Sequence, residues 1–423
     1  MEKFIICGGE PLNGDVNISG MKNSALPILF GTILTQGTCI IDNLPDISDV
    51  KDSLAILQSV GASIRFIDTN TVIIDTKNVT PKSPPLELVS KIRASYYLFG
   101  SMLGRFNIAQ VGQPGGCDFG NGRPIDQHIR GFELLGARVS YESNATITLN
   151  AQEGLKGTSI YFDMASVGAT INIMYAAIFA DGVTVIENAA REPHIVDTAC
   201  FLNACGANIM GAGTTTIRIK GVKKLHGTNY TIAPDMIEAG TYMIAGAITK
   251  GRVRVNNIVP KHMDAISAKL IEANVPLEIG DSYITVNPTK NLRSVSIKAN
   301  PYPGLPTDMQ PQFSALMTVA QGMCTVSDGI YSTRFKYIEH LKNMGANIDY
   351  DEKQAILRII GVNELNGATV KAPDLRAGAA LILAGLAAKG TTTVTNVGLV
   401  ERGYDHIIEK LRSLGANIKR EKI

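Results

Sequence analysis

Tryptophan is absent from the 423 residues, aromatic residues make up 6% and charged residues only 18%. With 45% hydrophobic residues the chain has ample core material, and disorder is excluded. Neither sign of charge is in excess: the net charge is +2, without a Lys/Arg tract or basic residues interleaved with aromatics. That excludes the footprint of a nucleic-acid or anionic-membrane binder and favours small-molecule partners. No apolar run approaches the roughly 20 residues that span a bilayer. Met1 to Cys7 is interrupted by Gly8-Gly9 too soon for a secretory signal, so a cytoplasmic protein is expected. The six cysteines (7, 39, 117, 200, 205 and 324) form no C-x-x-C pair and no ligand spacing with the six histidines, so no metal site is expected. Cys7, Cys39, Cys200, Cys205 and Cys324 sit in apolar strand or helix contexts and read as small buried hydrophobes. Cys117 does not.

What the chain does have is a repeat. The phrases Val60-Gly61-Ala62, Leu135-Gly136-Ala137, Cys205-Gly206-Ala207, Met344-Gly345-Ala346 and Leu414-Gly415-Ala416 each end an amphipathic stripe and start a β-branched strand. A sixth copy, Ala273-Asn274-Val275, replaces Gly with Asn, the other residue that accepts a left-handed helix cap. Each unit also holds an earlier, almost wholly apolar helix, and a helix apolar all round is buried on every side. The spacing predicts such helices starting near Lys22, Ser95, Val167, Ile237, Met309 and Arg376. Six α/β units exceed what one core sustains, since single cores stop growing near about 250–300 residues. The expected division is a lobe over 22–232 with three repeats and the Cys117 loop, and a second lobe of 1–21 plus 233–423 with the other three. The N-terminal strand Phe4 to Cys7 would complete the second lobe, and the two chain crossings make a hinge plausible.

One loop departs from the repeat. Gln113 to Pro124 packs four glycines and two prolines around Cys117, ahead of a helix expected to open with Pro124 in its first turn. Exposed backbone N–H groups, a helix start and Arg123 favour a thiolate or a bound anion there, while Asp118 opposes it. Further polar residues stand where helices should begin: Lys22-Asn23-Ser24, Arg93-Ala94-Ser95, Ser166-Val167-Gly168, Pro306-Thr307-Asp308, Asp374-Leu375-Arg376 and Arg402-Gly403-Tyr404. If the repeats are pseudosymmetric, docking the halves would aim helix N-termini and cations at one cleft suited to a polyanion.

With these residues assembled, the whole chain resembles the UDP-N-acetylglucosamine 1-carboxyvinyltransferases. The resemblance is carried by Pro114-Gly115-Gly116-Cys117, Arg123-Pro124-Ile125-Asp126, Ser166-Val167-Gly168-Ala169-Thr170, Glu187 to Pro193, Pro306-Thr307-Asp308-Met309-Gln310 and Asp374-Leu375-Arg376-Ala377. It implies an α/β fold of two pseudosymmetric lobes, the inside-out α/β barrel of EPSP synthase-like proteins. It also implies transfer of the enolpyruvyl group of phosphoenolpyruvate to the 3-hydroxyl of UDP-N-acetylglucosamine by addition and elimination, with phosphate released and no cofactor. By resemblance, Lys22, Arg123 and Arg402 clamp phosphoenolpyruvate, with Arg93 and Arg376 close by. Cys117 is the loop cysteine, a proton donor or product-release group that fosfomycin alkylates. Asp308 takes the hydroxyl proton, and the methylene proton comes from Cys117 or Lys22. The sugar nucleotide falls to Asn23, Arg123, Pro124, Ile125, Asp126, Gln127, Ser166, Val167, Gly168 and Ile330. Met164 and Gln127 depart from the family, standing where some members carry Lys and a frequent Leu. Two rivals stand beside this reading: the shikimate-pathway enolpyruvyl transferase, which shares the fold but would not need the Cys117 loop, and a non-catalytic paralogue that binds the UDP-sugar.

Overall fold

The computed structural model describes residues 2–115, 124–142 and 146–422. They divide into two compact units, one of 20–115 with 124–233 and one of 2–19 with 234–422.

In the unit formed by 20–233, the helices Lys22–Gly31, Tyr97–Phe106 and Val167–Ala177 lie inside and are buried over most of their length. Lys22–Gly31 runs on through Pro27, whose carbonyl accepts from the Tyr175 hydroxyl at 2.6 Å. Tyr97–Phe106 and Val167–Ala177 touch where glycine removes the side chain: a Cβ on Gly100 would stand 2.4 Å from the Asn172 carbonyl oxygen. Three sheets cover these helices. One runs in the order Asn229–Thr231, Thr38–Asp42, Val72–Asp75, Ser63–Phe66; its first pair is parallel and the rest antiparallel. The second orders Ile108–Gly112, Thr146–Asn150 and Arg138–Tyr141; the third orders Asn208–Met210, Thr216–Lys220, Val183–Glu187 and Ser159–Tyr161. Strand residues alternate buried and exposed, as in Thr216–Lys220, because one face meets the helices and the other meets water.

The second unit repeats the plan. Every residue of Met236–Ile248 and of Gln310–Met317 is buried, and so is nearly all of Leu375–Ala387. Neither Phe4 nor Ile6 has any exposure, because the strand Glu2–Cys7 sits inside a sheet, between Thr391–Thr395 and Asn417–Lys422 and antiparallel to both. The strand Gly14–Asn17 pairs in parallel with Val253–Asn256. With helices inside and sheets outside, each unit inverts the usual arrangement of an α/β barrel.

All six repeat-closing positions adopt the left-handed conformation, with φ from +64° at Asn274 to +113° at Gly61. There the chain reverses from helix to strand, and glycine or asparagine takes that conformation without the strain other side chains incur. Two expectations need correction. Pro124 stands before the helix and not in its first turn: the helix is Asp126–Leu134, and Ile125 at φ −116° lies outside the helical region. Cys7 and Cys200 are exposed, whereas Cys39, Cys205 and Cys324 are buried. Cys7 ends its strand, and Cys200 falls on the outward face of Pro193–Ala204, so apolar neighbours in sequence misled.

Candidate active site

Cys117 and Arg123 lie outside the described residues. The remaining sequence-predicted residues fall into two clusters, one in each unit.

In the first cluster, Lys22 opens the helix Lys22–Gly31, and its Nζ lies 2.8 Å from Asp49 Oδ2. Both side chains are largely buried, and Asn23 is half-buried beside them. Arg93 opens the 3-10 turn Arg93–Tyr96 and lies over the Tyr96 ring, 5.4 Å from its centroid. Tyr96 in turn meets His128 edge to face at 5.0 Å. Asn172 holds that histidine: its Nδ2 donates to His128 Nδ1 at 2.9 Å while its Oδ1 accepts from Gly100 N at 2.8 Å. Burial first and then the Arg93 charge push His128 down to about 3, so it is neutral. The Tyr96 hydroxyl and His128 Cε1 close on Gly168, where an added Cβ would meet each at 2.8 Å. Ser166 caps the helix Val167–Ala177 by accepting from Ala169 N at 3.3 Å. The first-turn N–H groups at Val167 and Gly168 have no acceptor within the helix, which makes this end suited to an anion. Pro124 and Asp126 are exposed, and Ile125 and Gln127 half-buried. The Gln127 Oε1 is buried and has no hydrogen-bond partner among the described residues. Met164 is exposed.

The second cluster centres on Asp308, in the 3-10 turn Thr307–Met309 that leads into Gln310–Met317. Its Oδ1 accepts from Arg334 Nη1 at 2.8 Å, and its Oδ2 from Arg376 Nε and Nη2 at 3.2 and 3.1 Å. Burial alone would raise this carboxyl; the Arg376 and Arg334 guanidinium groups overcome it and hold Asp308 well below the usual carboxylate range. Arg376 is buried in the first turn of Leu375–Ala387, which Asp374 caps by accepting from Arg376 N and Ala377 N. Its guanidinium lies over the Tyr404 ring at 5.2 Å, and the Tyr404 hydroxyl bonds to Thr241 at 2.9 Å and to Gln312 Nε2 at 3.1 Å. Arg402 ends the 3-10 segment Val397–Arg402 and is half-buried. Ile330 is exposed, and its N–H donates to Asp328 Oδ1 at 2.8 Å.

The structure thus brings Asp308 together with Arg376, and Arg93 with the Gly168 helix end. Asp49, His128, Asn172 and Arg334 were not among the sequence-predicted residues. None sits in a glycine-flanked helix start, the signal that singled out the others, and Arg334 is 26 residues from its partner Asp308.

Residues 6–411 match the family model described as EPSP synthase (3-phosphoshikimate 1-carboxyvinyltransferase). The chain is 52% identical over 424 residues to UDP-N-acetylglucosamine 1-carboxyvinyltransferase 2 of Clostridium acetobutylicum, covering 100% of both chains. To the protein of the same name from Bacillus cereus it is 51% identical over 423 residues, covering 100% of this chain and 97% of the relative. Among solved structures, the enolpyruvyl transferase NikO from Streptomyces tendae superposes with a TM-score of 0.89 at 24% identity, covering 100% of this chain and 99% of that one. EPSP synthase from Acinetobacter baumannii gives 0.77 at 19% identity, covering 100% of both. At such identities the two structures speak to the fold alone.

Proposed function

Because the chain belongs to the UDP-N-acetylglucosamine 1-carboxyvinyltransferases, we propose that it moves the enolpyruvyl group of phosphoenolpyruvate onto the 3-hydroxyl of UDP-N-acetylglucosamine, releasing phosphate. The observation that carries this reading is the 52% identity running the full length of both chains. The step it performs opens peptidoglycan precursor synthesis, and a cytoplasmic enzyme is the reading that goes with it. No described helix is long and apolar enough to cross a membrane.

In this reading the acceptor oxygen attacks C2 of phosphoenolpyruvate while C3 gains a proton. The resulting tetrahedral ketal then loses phosphate and a C3 proton. Phosphoenolpyruvate concentrates its charge on a small frame, so planar and point cations form the economical clamp. Lys22, Arg123 and Arg402 supply it, with Arg93 and Arg376 close by. Backbone N–H groups at Ser166 to Gly168 receive the diphosphate, and Asn23 with the 123–127 segment takes the rest of the nucleotide. Asp308 accepts the hydroxyl proton. Two guanidinium groups keep it ionised but weaken it as a base, so a substrate anion that draws Arg376 away would raise its basicity at the moment of need. Cys117 or Lys22 delivers the methylene proton.

The test is phosphate release from purified protein with phosphoenolpyruvate and either UDP-N-acetylglucosamine or shikimate 3-phosphate. Release is expected with the sugar nucleotide alone; release only with shikimate 3-phosphate would overturn the reading. Fosfomycin, in the presence of nucleotide, is expected to add one covalent equivalent by intact mass, and Cys117→Ala to add none.

A further inference from the structure

In the same unit as Asp308, a second carboxylate holds backbone with one oxygen and a side-chain hydroxyl with the other. Asp328 ends the strand Met323–Asp328 and is 5% exposed. Its Oδ1 accepts from both Ile330 N and Tyr331 N at 2.8 Å, which pins the turn that follows the strand. Its Oδ2 accepts from the Thr307 hydroxyl at 2.5 Å. That hydroxyl in turn accepts from Arg334 Nη1 at 3.0 Å, and the same Nη1 donates to Asp308 Oδ1 at 2.8 Å. Arg334 closes the far side of the turn, its N–H donating to the Tyr331 carbonyl at 3.0 Å. Its side chain is 4% exposed. The chain of bonds therefore runs from the Ile330 amide through Asp328, Thr307 and Arg334 to Asp308. Since the Ile330 N–H is spent on Asp328, the main-chain group this residue can offer a ligand is its carbonyl, an acceptor for an amide N–H or a hydroxyl.

We propose that Thr307 and Asp328 are positioning residues that fasten the Ile330–Tyr331 turn to Asp308, so that the Ile330 carbonyl and the Asp308 carboxylate meet the sugar acceptor at a fixed spacing. This rests on the transfer reaction proposed above. Fixing the acceptor's amide at one group while the other faces its hydroxyl converts binding energy into orientation, and a loosened link is felt by that substrate alone. Phosphoenolpyruvate, held by cations, does not depend on the turn.

Thr307→Val keeps the side-chain shape while removing the hydroxyl, which takes the Thr307 donor from Asp328 Oδ2 and one of two acceptors from Arg334 Nη1, leaving Arg334 its bond to Asp308; Thr307→Ser keeps the hydroxyl. Hydrogen exchange on the full-length chain is expected to run about tenfold faster over 328–334 in Thr307→Val, the scale of one lost buried partner, and to match the wild type in Thr307→Ser. In turnover, KM for UDP-N-acetylglucosamine is expected to rise about tenfold in Thr307→Val with KM for phosphoenolpyruvate within about twofold, and Thr307→Ser to restore it. The fastening is refuted if Thr307→Val exchanges like the wild type, if both KM values rise together, or if serine does not rescue. Wild-type protein that turns over no sugar nucleotide would instead refute the reaction, and the exchange comparison would still decide whether the turn is tied to Asp308.

Discussion

Asp308 shows how one residue's neighbours set its chemistry. A carboxyl in this position, a quarter exposed and largely desolvated, would by itself resist ionisation; two arginines reverse the outcome. Its folded pKa lies below its unfolded one, so the stability it contributes is present above the unfolded value and is lost only as pH falls through the depressed folded value. Replacing Arg334 with Gln removes one of the two opposing charges. The Asp308 pKa should then climb toward the ordinary carboxylate range, and the acid limb of kcat/KM should move to higher pH. An unmoved limb would mean that Asp308 is not the group whose protonation stops turnover. Asp308→Asn should abolish most activity and destabilise the unit by about 3–5 kcal/mol, because Arg376 is buried and would lose its charged partner. Gln127 carries the opposite problem, a buried acceptor with no partner among the described residues. Gln127→Leu should raise the Tm of the ligand-free protein by the equivalent of about 1 kcal/mol. It should also shrink the further Tm increase brought by UDP-N-acetylglucosamine. A Tm that falls would show the glutamine to be satisfied.

Among elements, the inner helix Met236–Ile248 has no face left for water, and its first turn still carries a carboxylate. Asp235 caps the helix by accepting from Ile237 N and Glu238 N. Glu238 accepts from Lys410 Nζ at 2.6 Å and from Ser19 N at 2.9 Å. Lys410 Nζ also donates to the Ser19 hydroxyl, which donates on to Asp405 Oδ2. Burial pushes Glu238 from 4.5 up to about 7 against the pull of Lys410. Between these values the folded chain holds a proton that the unfolded chain has released, so stability falls as pH rises from about 4.5 to about 7 and is level above. Glu238→Gln should flatten that slope in a series of melting temperatures, and an unchanged slope would assign it to another group. The elements differ in how plainly the sequence announces them. The six helix stops were legible because a left-handed cap tolerates few residues, and Gly61 or Asn274 marks it locally. The Lys410 and Glu238 pair was not, since 172 residues separate them and no local rule links a helix start to a basic residue on a later helix. Shorter separations sufficed to hide Arg334, 26 residues from Asp308, and Asp49, the partner of Lys22, whereas Asp308 and Arg376 stood out because each follows a helix-start signal.

For the molecule as a whole, the order of strands separates two kinds of unit. The unit described over 20–115 and 124–233 takes no strand from elsewhere: each of its three sheets draws its strands from that part of the chain alone. The other unit is split. Its stretch from 234 onward lacks the strand Glu2–Cys7, which occupies an interior place between Thr391–Thr395 and Asn417–Lys422, and the edge strand Gly14–Asn17. Without Glu2–Cys7 the facing edges of those two strands lose their ladders, and the contacts of Phe4 and Ile6 with the core go with them. Burying two such side chains is worth about 1.5–3 kcal/mol each, a large share of a typical domain's net stability. Without residues 1–19 the Glu238 carboxylate also loses the Ser19 amide. A fragment of residues 20–233 should therefore fold alone, with cooperative thermal melting and helix content matching its share of the full chain. Residues 234–423 should remain unfolded or aggregate until a peptide of residues 1–19 is supplied, and then regain protected amides over 391–395 and 417–422. An isolated 234–423 fragment that melts cooperatively would show that the N-terminal strands merely cover a core already complete without them.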